Sequence, residues 1–173
     1  HIRFMMCTVA NLAFEAKEDR VDRIINDKGL DLIVDSLEYH TRIRDTDTSE
    51  ICIDALSHLS RHPRSLPYLG GTNVMEAIVD LLRQQVNDRL CYKSLRALTG
   101  LCANNALSAR FMDKGGYKVA VNIVPTYRND LKCVYQSARL MNVLLDKYPA
   151  RDDDFVFAGV IDEIVPVYET EWP

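Results

Sequence analysis

The strongest constraint on this chain is a recurrence of about 43 residues. Gly29, Gly71, Gly116 and Gly159 stand 42, 45 and 43 residues apart, and each opens an apolar segment. The phrase Ile-Val-Asp-x-Leu starts at Ile33 and again at Ile78. Ile-Val-Pro-x-Tyr starts at Ile123 and again at Ile164. A second series, Leu12, Leu59, Leu101 and Leu144, is spaced by 47, 42 and 43 residues. Two interleaved series with one period predict a chain of stacked supersecondary units. Each such unit covers its apolar face with its neighbours instead of folding alone.

Each unit reads as three helices. The third is the longest. Over 88–104, Cys91, Leu95, Leu98, Leu101 and Cys102 recur at helical spacing. Ile51, Ala55, Leu56 and Leu59 form the same stripe earlier; Leu131, Val134, Ala138, Met141, Leu145 and Tyr148 form it later. Asp88, Asp130 and either Thr48 or Ser49 are the expected N-caps, because their side-chain oxygens accept from free backbone N–H groups. Pro63 and Pro149 mark where two of these helices have ended. The second helix follows each glycine, with Pro125 and Pro166 expected to kink or shorten the last two. The first is short, at 20–26, 65–69, 107–114 and 153–158, with Pro67 weakening the second of these; Asp152-Asp-Asp would favour the N-terminal dipole of the last. No strand signal competes. The expected class is all-α, a right-handed superhelical solenoid of about four three-helix repeats, incomplete at both ends. It divides into 1–16 (the third helix of a partial repeat), 17–62, 63–105, 106–149 and 150–173 (a second partial repeat). The absent initiator Met and the start within a third helix point to a piece of a longer chain or larger complex.

Composition narrows the role. The chain carries 21 Lys+Arg against 25 Asp+Glu, a net charge of −4, which argues against a general nucleic-acid coat. No apolar run is long enough for a membrane span. The segment 4–14 resembles a signal-peptide core, but it also fits the repeat. Five cysteines, an odd number without a Cys-x-x-Cys pair, suit a reduced cytoplasmic protein whose thiols are buried in helices.

A three-helix repeat of this length resembles the armadillo repeat, with HEAT repeats as its nearest relative. The matching residues are the glycine before the second helix and the Ala-Leu-x-x-Leu core of the third, here Ala55-Leu-Ser-His-Leu59 and Ala97-Leu-Thr-Gly-Leu101. The resemblance implies a concave groove lined by third helices, where partners bind. Armadillo proteins that hold extended peptides, such as importin alpha, place an Asn before the last core leucine of that helix. Here the series is Asn11, His58, Gly100 and Val143, so one position in four matches. A nuclear-signal receptor is therefore disfavoured.

The third-helix positions opposite the core are Glu50, Asp54, His58 and Arg61, then Arg89, Tyr92, Lys93, Arg96 and Gly100, then Lys132, Tyr135, Gln136, Arg139 and Asn142. The first stripe starts acidic; the other two are basic with interleaved tyrosines, which are expected to stack as a ladder. Arg89, Tyr92, Lys93, Arg96, Lys132, Tyr135, Gln136 and Arg139 are the expected protein-binding residues, facing an acidic or phosphorylated partner segment. No catalytic, cofactor or metal set is expected. His58 and His62 have metal-ligand spacing but lack the Glu of a metalloprotease helix. Asp45-Thr-Asp-Thr-Ser-Glu50 lacks the Gly and Glu of a calcium loop. No phosphate-binding Gly-rich loop or nucleophile elbow occurs. The expected role is a non-enzymatic scaffold or adaptor. The alternatives are a permanent component of a cytoskeletal or ciliary assembly and a chaperone-type armadillo domain that clamps myosin or another client.

Overall fold

The computed structural model describes residues 2–14 and 18–149, with 153, 159 and 162 as isolated positions. The described residues are all-helical, as the periodicity predicts, and contain no strand. In chain order the helices are α1 (Ile2–Ala13), α2 (Glu18–Asn26), α3 (Gly29–Arg42), α4 (Thr46–Leu59), α5 (Ser65–Gly70), α6 (Val74–Arg83), α7 (Asp88–Leu101), α8 (Asn105–Asp113), α9 (Gly116–Thr126) and α10 (Leu131–Lys147). Apart from those isolated positions, the expectations for 150–173, Pro166 among them, fall outside the described residues.

Helices pack in three rows. α1, α4, α7 and α10 lie each against the next; α3, α6 and α9 make a second row, and α2, α5 and α8 a third. Polar bonds between rows' neighbours join residues about one sequence period apart. The Gln84 amide donates to the Thr41 carbonyl at 3.0 Å, the Lys147 ammonium to the Ala103 carbonyl at 2.7 Å, and the Tyr127 hydroxyl to the Val86 carbonyl. Arg64 pairs with Asp22.

The glycine series has a steric cause at two of its positions. A Cβ on Gly29 would lie 2.9 Å from the Ile24 carbonyl oxygen, and one on Gly116 would overlap the Phe111 ring. Both residues stand where a short helix turns tightly into the next. Gly71 faces no comparable obstruction. There Arg110 secures the corner instead, donating to the Gly70 and Thr72 carbonyls and to Glu76 at 3.2, 2.6 and 2.9 Å.

Two N-caps differ from expectation. Asp45 caps α4, accepting from the Thr48 amide at 3.1 Å and its hydroxyl at 2.7 Å, so Thr48 is the donor. Asn87 caps α7 through the Leu90 amide at 2.9 Å, leaving Asp88 as the first helical residue, where its charge suits the dipole. Asp130 caps α10 as expected. The stretch resembling a calcium loop is thus a capped helix start. Pro67 is accommodated in the first turn of α5, where its missing N–H has no intrahelical acceptor to lose. Pro125 lies one residue from the end of α9, so the helix simply stops at Thr126.

The core runs between the rows. Leu59, Leu101 and Leu144 are fully buried, as their series predicts. Leu12 is not: it is 46% exposed, and Met6 and Ala13 hold the buried positions of α1. Among the described helices α1 packs chiefly on α4 and α2, which cover only part of its circumference. On α10 the buried face is also rotated from the expected stripe. Cys133, Ser137, Leu140 and Leu144 are fully buried while Leu131 is exposed. α6 is enclosed by α3, α7, α8 and α9, and Val74, Met75, Ala77, Ile78, Val79, Leu81 and Leu82 are all buried. This accounts for its nearly continuous apolar sequence.

Candidate functional site

The row α1–α4–α7–α10 carries the predicted binding residues, and the structure divides them into two groups. The first is committed to contacts within the molecule. The Lys93 ammonium, only 16% exposed, bonds Glu50 at 2.6 Å and Asp54 at 2.5 Å. Arg89 reaches the same Glu50 carboxylate at 2.7 Å, although its own side chain is exposed. The acidic stripe of α4 and the basic stripe at the start of α7 therefore neutralise each other across the helix pair. Gln136 is buried and donates to the Thr99 hydroxyl at 2.9 Å. Tyr92 is half-buried against the core.

The second group faces solvent. Lys132 and Arg139 are exposed, and Tyr135 is 67% exposed. Tyr92 and Tyr135 form no ring pair, because one is tucked against the core and the other projects outward. The expected tyrosine ladder is absent among the described residues; their ring pairs are Phe14–His58 and Tyr39–His40.

Between these groups lie two adjoining cavities. One, of about 320 Å³, is framed by Ser57, Ser60 and Arg61 at the end of α4, Arg96, Thr99 and Gly100 on α7, and Gln136 and Arg139 on α10. The other, of about 530 Å³, is walled by Ala10, Asn11, Ala13 and Phe14 beside α1 and by Asp54, His58 and His62. Both share Arg61 and Arg96. Phe14 meets His58 edge-on, with ring centroids 4.8 Å apart.

The electrostatics of the smaller cavity are one-sided. Three arginines line it and no acidic residue does. Arg96 donates from Nε to the Ser57 hydroxyl at 2.8 Å, a neutral partner that fixes the side chain and leaves its charge uncompensated. Arg61 and Arg139 have no ion pair or hydrogen bond of their side chains among the described residues. Like charges brought together at a partly shielded surface raise the local potential and draw anions.

Sequence reading placed Arg96 and Arg139 in the site but left out Arg61. Its signal was position: it follows His58 by three residues on the same stripe. Phe14 was also missed as a neighbour of that stripe, and Asn11 was named only as a member of the asparagine series, since packing of α1 on α4 brings both there.

Gly100 stands where α4 and α7 come close. A Cβ there would sit 2.9 Å from Ser60 Cβ and closer still to its hydroxyl. α4 and α7 approach so closely at this point that a side chain would force Ser60 to shift. Asn11 lines the larger cavity, His58 packs on Phe14, and Val143 is half-buried. His62 lies beyond the end of α4, so His58 and His62 are not successive turns of one helix.

The cysteines are unpaired, with Cys52, Cys91, Cys102 and Cys133 buried and Cys7 half-buried. Burial pushes the Cys52 and Cys102 thiols up to about 12. Cys91 is raised by its hydrogen bond with Cys133 and by burial. All four sit in the core. Among the described residues no helix is long and apolar enough to cross a membrane. No protein-family model and no curated protein matches the chain.

Proposed function

We propose that this chain is an armadillo-like solenoid segment acting as a non-enzymatic scaffold or adaptor in a reducing cytoplasm. It binds an acidic or phosphorylated partner segment along the α1–α4–α7–α10 row. The observation that carries this reading is the junction of α4, α7 and α10, where Arg61, Arg96 and Arg139 line a cavity without a carboxylate. The row packing, with bonds spaced one period apart, supports the repeat architecture. Of the predicted site residues, Arg96, Arg139, Lys132 and Tyr135 remain the contact candidates. Lys93, Gln136 and Tyr92 act by holding adjacent helices in register, with Arg89 adding an exposed pair to Glu50.

Affinity capture from a native extract tests this, read by mass spectrometry, with wild type and Arg61→Glu/Arg139→Glu in parallel. Both arginines are exposed and unpaired, so the variant is expected to keep the wild-type melting temperature. Loss of a short set of partners is the expected result. Equal recovery by both proteins would retire the groove.

A second reading, a permanent building block of a cytoskeletal or ciliary assembly, is favoured by one feature. Met5, Leu12, Leu32 and Tyr39 form an exposed apolar face on α1 and α3. A face of this kind suits a lasting contact. Recovery of one large complex that is lost on Leu12→Asp/Leu32→Asp, and kept in the arginine variant, would select it.

A further inference from the structure

We infer that the cavity between Arg61, Arg96 and Arg139 is a subsite for one phosphate monoester, a phosphoserine or phosphothreonine side chain of the bound segment. This rests on the groove reading above and narrows it to a defined chemistry.

Three observations carry it. The arginines arrive from three separate elements: the turn after α4, the middle of α7 and the middle of α10. Convergence from three directions suits a tetrahedral group with three terminal oxygens better than a planar carboxylate with two. The charge is also matched. A phosphate monoester carries close to two negative charges at neutral pH, and no protein carboxylate lines the cavity to compete for the guanidinium groups. Finally, Arg96 is held by Ser57 through Nε, which leaves both its terminal nitrogens for an incoming oxygen pair.

The adjoining larger cavity says what carries the phosphate. It shares Arg61 and Arg96 and presents Phe14, Ala10, Ala13 and the His58 ring edge, alongside Asn11, His62 and an Asp54 carboxylate already bonded by Lys93. A free ion has no use for such a wall. An apolar or aromatic residue of the same peptide, close in sequence to the phosphorylated one, fills it.

The test titrates the full chain with phenyl phosphate, inorganic phosphate and benzoate, following the arginine side-chain N–H resonances. Phenyl phosphate is expected to shift Arg61, Arg96 and Arg139 saturably and to bind on the order of tenfold tighter than benzoate. The Arg61→Gln/Arg139→Gln variant, with an unchanged melting curve, is expected to weaken it by about tenfold. Equal affinity for benzoate and phenyl phosphate would overturn the phosphate assignment. Equal affinity for inorganic and phenyl phosphate would overturn the peptide assignment. A second arm separates this inference from the groove reading. Partners captured from extract are compared before and after phosphatase treatment. Loss on treatment supports the subsite. Capture that survives phosphatase yet fails with Arg61→Glu/Arg139→Glu sinks the phosphate and leaves the groove. Capture that survives both sinks the groove itself.

Discussion

Gly100 on α7 sits against Ser60 at the end of α4 so closely that a Cβ on the glycine would lie 2.9 Å from Ser60 Cβ. That contact sets the approach of two helices in the row carrying the candidate groove. Gly100→Ala is expected to lower stability by about 1–3 kcal/mol through overpacking. Ser60→Gly/Gly100→Ala should recover part of the loss. A double-mutant cycle by urea unfolding measures the coupling; strict additivity would mean the two residues do not meet.

The leucine series separates buried from exposed members. Leu101→Ala should cost roughly 2–5 kcal/mol, the lost side chain plus the cavity it leaves. Leu12→Ala should stay within about 0.5 kcal/mol of wild type, because its side chain is half in solvent. Equal midpoints for the two variants would contradict this core.

The charges facing the groove differ in the same way. Lys93→Ala leaves Glu50 and Asp54 facing each other with their shared cation removed, at partly buried positions. A loss of about 1–3 kcal/mol is expected. Arg139→Glu should change stability by less than about 0.5 kcal/mol while weakening anion binding. Thermal denaturation beside a phenyl phosphate titration reads both.

Asp45 gives a pH signature. The Thr48 hydroxyl bond holds its carboxyl below the ordinary 3.8, helped by the Thr48 amide and by nearby His40 and opposed by partial burial. A carboxyl lowered on folding contributes stability above the unfolded value. That contribution fades as pH falls below 3.8 and is gone below the folded pKa. Asp45→Ala should cost about 1 kcal/mol at neutral pH. Unfolding curves of variant and wild type should converge as the pH is taken through the acid range.

Thiol labelling checks the packing of the rows. At neutral pH the half-buried Cys7 should react first with a maleimide. Cys52, Cys91, Cys102 and Cys133 should label only in denaturant, being buried and with raised pKa values where a shift is resolved. Rapid native labelling of Cys91 or Cys133 would mean that α7 and α10 part easily.

Among the described residues, periodicity alone determined the helical class, the place of nearly every helix and most of the core. An amphipathic stripe and a capping residue are local properties of the chain, and Asp130, Leu59 and Leu101 needed nothing more to be read. Local signals misled where two neighbouring residues compete for one role. Asn87 caps α7 where Asp88 was expected, and Asp45 caps α4 where Thr48 or Ser49 was expected. The face of α10 turned by about one position, because which side is buried depends on the helix it meets. The candidate groove was less legible still. Sequence counts charges along one helix, whereas ion pairs form across two. Glu50 and Asp54 on α4 take up Lys93 of α7, and Glu50 also takes up Arg89, each about one period away. Tertiary packing alone decided that Lys93 is spent inside the molecule and that Arg89 shares its carboxylate from an exposed position, while Arg61, Arg96 and Arg139 form no ion pair among the described residues.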